Sequence, residues 1–403
     1  MRLLMKLKGF MKSMPNTIYN RLITKNKIFT EHHQKYFGAN FTYQDFAPMF
    51  KAEYFDPDQW AELFKKSGAK YVVLTSKHHG GFALWPSKQS PNWNSMDMGP
   101  HLDIIGELSK SVREKGLHMG LYYSLLEWNQ PLYNPETIHE WVDTHMIPQM
   151  KNLVNTYKPE IIFADGEWDY TSDKLKSEQF LAWLYNESPV KQSVVVNDRW
   201  GKETRSKHGD YYTTEYDLVH NTKGIGEKAT HPWEESRGIG TSYGYNQFET
   251  TENYFTSRQL IHLLIEKVSN GGNLLLNIGP RADGIIPVIM QERLLAIGEW
   301  LKVNGDAIYG TTAWQNRPQD TINKDVSYTV KGNDLYVICT KWPEKPIIIP
   351  GIKKAGKVTM LGSQSTVKKS ISNNRLSINP PQLNPNNIPS KYAWVFKVAD
   401  FQS

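Results

Sequence analysis

Apolar positions along this chain alternate between two rhythms. In "DPDQWAELFKKSGAK", Trp60, Leu63 and Phe64 share one face of a predicted helix, and Gly68 is placed to cap it before the strand Tyr71–Leu74. The pattern repeats in "LDIIGELSKSVREKGL": Ile104, Ile105, Leu108 and Val112 form the face, and Gly116 closes it before the strand Met119–Tyr123. Met150, Leu153 and Val154 make the next face, broken at Lys158-Pro159 ahead of the strand Ile161–Ala164. A helix around Trp183 precedes Val194–Val196, and Leu260, Leu263, Leu264 and Val268 lead into "GGNLLLNIGP", a strand bracketed by glycines. These strands show no internal alternation, so both faces are covered, which predicts a parallel sheet wrapped by helices. Repetition over most of the chain favours a (β/α) barrel over an open sheet. After Tyr309 the rhythm changes. "VSYTVKGNDLYVICTKWPEKPIIIP" and "KYAWVFKVADF" are short strand-like runs divided by Gly, Pro and Asn, which predicts a separate C-terminal antiparallel domain.

Composition narrows the class. The chain has 403 residues, 39% hydrophobic and 22% charged, with net charge +6. Lys and Arg are interspersed with Asp and Glu and form no cluster of five, which argues against a nucleic-acid partner. Cys339 is the one cysteine, excluding an intrachain disulfide and a cysteine zinc site. The first residues, "MRLLMKLKGFMKSMPNTIYN", are basic and amphipathic without the apolar run of a signal peptide, and no stretch is long enough to span a membrane. Asn40-Phe41-Thr42 and Asn186-Glu187-Ser188 fit the N-glycosylation sequon.

Chemistry is concentrated where the predicted strands end, the rim from which barrels build active sites. One strand runs into "TSKHHGGF", with His78 and His79 side by side. The next runs into "YYSLLEW", with Tyr122, Tyr123, Glu127 and Trp128; the third into Asp165, Glu167 and Trp168; the fourth into Asn197, Asp198, Arg199 and Trp200. Paired carboxylates among histidines, an arginine and tryptophans suit a glycosidase. Such an enzyme needs a nucleophile and an acid/base, aromatic faces for the apolar side of a sugar, and donors for its hydroxyls. A metal site is not expected, because adjacent His78 and His79 on a strand would point to opposite faces and no third ligand is suitably spaced. Lys223-Gly224-Ile225-Gly226 lacks the context of a phosphate loop.

The segments "GAKYVVLTSKHHGGFALWPS", "DMGPHLDIIGEL", "KPEIIFADGEWDY", "FLAWLYNESPVKQSVVVNDRWG", "GGNLLLNIGPRADGIIP" and "QERLLAIGEWLKVNGDAIYGT" resemble the α-L-fucosidases of glycoside hydrolase family 29, animal tissue (lysosomal) type. The likeness runs from about Phe41 to the C-terminus. It implies an atypical segment 1–40, a catalytic (β/α) barrel 41–309 and a C-terminal antiparallel β-sandwich 310–403. It implies retention through a covalent fucosyl-enzyme without metal or cofactor, action on fucosylated glycans or glycoproteins, and a lysosomal or secreted location; neither nucleic acid nor membrane is expected as a partner, and a homo-oligomer is left open. Asp165 of "ADGEW" matches the nucleophile, and Gly166 lets the chain turn beside the substrate. His78 and His79 match the pair that holds fucose hydroxyls, Tyr122 a fucose-contacting tyrosine and Arg199 the arginine of "NDRWG"; together with Trp168 they are expected to position the sugar. For the acid/base the first choice is Glu215 of "GDYYTTEYD", expected on a loop, with Asp217 as its neighbour. The second is Glu234 of "HPWEES", where Pro232 and Ser236 stand for the Lys and Cys of the animal signature. The chain departs from the family at Gly80, usually Glu, and before Asn40, where the usual first strand and its His are not recognisable. A barrel lacking that strand would have two bare edges, so the alternative is a catalytically impaired fucose-binding pseudoenzyme.

Overall fold

The computed structural model describes residues 3–7, 27–216, 231–316 and 325–403. Eight strands form one sheet: β1 (Leu3–Leu7), β2 (Tyr71–Lys77), β3 (His118–Ser124), β4 (Ile161–Asp165), β5 (Val195–Val196), β6 (Tyr212–Glu215), β7 (Trp233–Gly238) and β8 (Asn273–Ile278). Their order is β5-β4-β3-β2-β1-β8-β7-β6, all pairs parallel. Between the ends of this row, Asp210 N–H donates to Val196 O at 3.0 Å, and Val196 N–H donates to the Asp210 carboxylate at 2.8 Å. The sheet thus closes into a barrel with its narrowest ladder between β5 and β6. The first strand, which the sequence did not reveal, comes from the segment expected to lie outside the barrel. Leu4–Leu7 pair with Tyr71–Leu74 on one side and Leu3–Leu7 with Leu274–Ile278 on the other. Both edges that the pseudoenzyme alternative rested on are therefore filled.

Helices cover the outside. α1 (Lys27–Phe37) and α2 (Pro57–Lys66) precede β2; Asp56 caps α2 by accepting from Gln59 N–H, and Gly68 turns the chain at φ 82°. α3 (Ile104–Glu114) joins β2 to β3, and α4 (Ile138–Trp141) continues through a π-turn into α5 (Ile147–Tyr157) before β4. α6 (Ser177–Asn186) leads to β5, α7 (Ser257–Ser269) to β8, and α8 (Val288–Asn304) follows it. The apolar layer between strands and helices is distinct from a smaller cluster inside the barrel, made by Tyr71, Val73, Tyr122, Ile161, Phe163 and Leu275.

The C-terminal part is a sandwich of two antiparallel sheets. Five strands, β9 (Thr312–Ala313), β10 (Val326–Lys331), β11 (Asp334–Cys339), β13 (Val358–Met360) and β16 (Trp394–Val398), face three, β12 (Ile347–Pro350), β14 (Lys368–Ser372) and β15 (Arg375–Asn379). Leu335, Val337, Ile347, Ile349, Leu376, Ile378 and Phe396 fill the space between them. It docks on the barrel through directional bonds: Trp300 of α8 donates to Ala393 O at 3.0 Å, and the His262 ring on α7 bonds Tyr392 O at 2.9 Å.

Gly298 of α8 lies against the end of α2, where a Cβ would sit 1.8 Å from Lys66 O. That atom is backbone and has nowhere to move. Gly298→Ala is expected to destabilise the fold by about 1–3 kcal/mol or more, read as a lowered thermal midpoint. An unchanged midpoint would show that the two helices do not pack this closely.

Candidate active site

The strand ends converge on one buried cation. Arg199 follows β5, is 0% exposed, and lies 5.0 Å over the Phe163 ring. Its Nη1 donates to Asp165 Oδ1 at 2.7 Å and to Glu215 Oε2 at 2.8 Å, while Nε donates to Thr213 Oγ1 at 2.8 Å. Burial works against the guanidinium, but Asp165, Glu215 and Glu167 more than reverse this and hold it charged. Two oxygens bound to one nitrogen at these distances stand no more than about 5.5 Å apart, which excludes the wider carboxyl spacing of inverting glycosidases.

Asp165 is the last residue of β4 and is 2% exposed. Its other oxygen, Oδ2, accepts from the Tyr122 hydroxyl at 2.6 Å. Burial and then the Asp165 charge keep the Tyr122 phenol protonated, so it acts as a donor. Gly166 follows with φ 77°, and a Cβ there would meet Leu126 Cβ at 2.7 Å and Ser124 Oγ at 3.0 Å. Only glycine makes this turn so close to the end of β3.

The "NDRW" run explains itself in three dimensions. Asn197 accepts from Ala164 N–H at 3.0 Å and donates to Ala164 O at 2.8 Å, latching the residue before Asp165. Asp198 accepts from Thr213 N–H, Thr213 Oγ1 and Ser206 N–H, so it clamps β6 beside Arg199. Trp200 points away and stacks on Phe180. Thr213 was not singled out in the sequence; its signal is alternation, since it stands two residues before Glu215 on the same face of β6.

The structure revises several expectations. Glu215 is not on a loop but is the last residue of β6, with 27% of its side chain exposed. Glu234 lies apart from the group. It is the second residue of β7, in register with Thr213, whereas Glu215 is in register with Ser236. It therefore sits about 6–7 Å lower along the strands, where it accepts from the hydroxyl of Tyr71, the residue that opens β2. His78 and His79 do not point to opposite faces, because β2 ends at Lys77; their ring centroids are 3.9 Å apart. His78 stacks on Tyr122, and His79 bonds Ser124 Oγ at 2.6 Å and packs between Trp128 and Trp168. Trp168 is 51% exposed and forms the rim rather than the floor. Asp217 and Lys223–Gly226 lie outside the described residues. Glu167, two residues beyond Asp165, is buried and bonded by Arg205 Nε at 2.5 Å. Burial raises its carboxyl above the usual range, against the pull of Arg205 and Arg199. Among the described residues no group of three His, Cys, Asp or Glu side chains could hold a metal ion.

Comparison with known proteins identifies the family. The sequence model described as Alpha-L-fucosidase matches residues 11–306, and that described as Alpha-L-fucosidase C-terminal domain matches residues 318–399. Human tissue alpha-L-fucosidase is 44% identical over 372 residues, spanning 90% of this chain and 78% of that one. The alpha-L-fucosidase of Dictyostelium discoideum is 42% identical over 393 residues, spanning 92% and 82%. Among solved structures, Thermotoga maritima alpha-fucosidase in complex with fucose superposes with TM-score 0.80 at 34% identity, covering 98% of this chain and 94% of that one. Matches to both parts of the chain, together with relatives of this identity over most of their length, establish that the protein belongs to the alpha-L-fucosidase family.

Proposed function

We propose that the chain is a retaining α-L-fucosidase that releases terminal α-L-fucose from glycans and glycoproteins, with Asp165 as nucleophile and Glu215 as acid/base. In the first half-reaction an Asp165 oxygen bonds to C1 of fucose as the bond from C1 to the leaving oxygen breaks, and Glu215 gives that oxygen its proton. In the second, water attacks C1 of the ester, Glu215 takes the proton of the water, and Asp165 departs as a carboxylate. Esterification removes one of the two anions that face Arg199. The guanidinium then holds Glu215 in the carboxylate form that the second half requires. Tyr122 steadies the free Asp165 carboxylate, and His78 and His79 supply hydrogen bonds to fucose hydroxyls. Trp168 offers an apolar face at the rim.

The observation that carries this reading is the sharing of one Arg199 nitrogen by Asp165 and Glu215 at 2.7 and 2.8 Å. Support for a lysosomal or secreted location comes from the family resemblance and from the two sequons, both with an exposed asparagine. Loss of mass on treatment with an N-glycanase would bear that out.

Four variants test the assignment by release of p-nitrophenol from the aryl α-L-fucoside. Asp165→Ala is expected to lower kcat by about a thousandfold or more. Glu215→Gln is expected to cost about 10²–10⁴-fold with a sugar as leaving group and less with the activated aryl group, whose oxygen needs less protonation. Glu234→Gln is expected to keep kcat within a few-fold and to lower stability by about 1–3 kcal/mol through its bond with Tyr71. A normal Glu215→Gln enzyme beside a dead Glu234→Gln one would reverse the acid/base choice. Arg199→Met leaves Asp165 and Glu215 without their cation, and a loss of about 3–5 kcal/mol of stability, together with turnover, is expected; a variant as stable as the wild type would remove Arg199 from this account.

A further inference from the structure

A second buried ion pair lies behind the site, on the side of the strands that faces the helices. Lys77 ends β2 and Glu127 follows β3; Lys77 Nζ is 2.7 Å from Glu127 Oε2, and both side chains are almost wholly buried. Lys77 lies over the rings of Tyr123 and Trp141, at 4.5 and 5.8 Å. His145 Nε2 stands 3.5 Å from the same Glu127 oxygen. This pair is separate from the Asp165–Arg199–Glu215 cluster: Lys77 pairs with Glu127, and Arg199 pairs with Asp165 and Glu215.

What the pair does touch is the link between two rim segments. Lys77 is two residues before His79, and Glu127 is immediately before Trp128. Trp128 N–H donates to His79 O at 2.8 Å, Asn129 Nδ2 donates to Gly80 O at 3.1 Å, and the rings of His79 and Trp128 pack with centroids 5.2 Å apart. Gly81 then turns at φ 82°, and a Cβ there would lie 2.5 Å from Glu127 Oε1. The turn after the histidines is wrapped onto the carboxylate. Two charges in so dry a place cost more to bury than an apolar pair of the same volume, so their directional geometry calls for a function beyond cohesion.

We propose that the Lys77–Glu127 ion pair is a positioning device that fixes His79 and Trp128 for the fucosyl ring, setting sugar affinity rather than the chemical step. The inference rests on the fucosidase reading above, but it is tested by binding as well as by turnover. Burial raises the Glu127 carboxyl, yet Lys77 and then His145 overcome this and bring it down to about 2. A depressed carboxyl of this kind contributes its full stability above the unfolded value of about 4.3 and loses it only as pH falls towards 2. The tie is thus intact throughout mildly acidic conditions.

The experiment measures fucose affinity by calorimetry, KM and kcat on the aryl fucoside, and thermal midpoints from pH 7 to 3. Glu127→Gln is expected to weaken fucose binding and raise KM by about tenfold, with kcat per active molecule within threefold. It is also expected to lower the midpoint at pH 5–7 and to shrink that difference from the wild type as pH approaches 3. The double variant Lys77→Met with Glu127→Leu removes both charges; its midpoint is expected to recover while fucose affinity stays weak. Recovered affinity in the double variant, or unchanged affinity in Glu127→Gln, would overturn the proposal and leave the pair a packing feature. A wild type that binds fucose without turning it over would defeat the fucosidase reading while leaving this inference to be decided by the binding data; a wild type that does not bind fucose would defeat both.

Discussion

A guanidinium sealed from water is tolerable only where anions meet it, and Arg199 imposes that condition on everything near it. Its position is set by Asn197 and Asp198, the two residues before it, through a latch on β4 and a clamp on β6. Phe163 forms a floor beneath it and Thr213 fixes its Nε. The two carboxylates then have little choice of place. Each must end its strand at the height of the arginine, and the separation between them follows from sharing one nitrogen. Site geometry here is a by-product of satisfying a buried charge.

That arrangement sits at the least regular part of the barrel. β5 is two residues long, and the junction with β6 is carried by Asp210 rather than by a continuous ladder. Fewer backbone bonds there leave the joining partly to side chains: the Asp210 carboxylate closes the seam, and Asp198 clamps Thr213 of β6 beside Arg199. The opposite wall, β1 to β4 with β8, has long ladders, and Tyr71, Val73, Ile161, Phe163 and Leu275 pack inside it.

Much of this was legible in the sequence, unevenly. β2, β3, β4 and β8 are uninterrupted apolar runs because both their faces are covered, and their ends delivered Asp165, His78, His79 and Tyr122. β6, "YTTE", and β7, "WEESRG", escaped because one face of each lines a polar interior, so neither rhythm shows. Glu215 accordingly passed for a loop residue. Glu234 could not be ranked without strand register, which decides whether a carboxylate points to the mouth or to the opposite end. β1, "LLMKL", was hidden in a basic, amphipathic opening. Lys77 and Glu127 are fifty residues apart in the chain, and nothing local in either segment announces the other.

The way the sandwich is fastened has an implication for its independence. Its loop at Tyr392–Ala393 supplies carbonyl acceptors to His262 and Trp300, on the two helices that flank β8. Excising it would strip acceptors from those side chains and bare the apolar backs of helices that hold a barrel strand in place. The C-terminal part is therefore an integral buttress of the barrel, not a detachable module, and shortening the chain at the junction would loosen the helices that back β8.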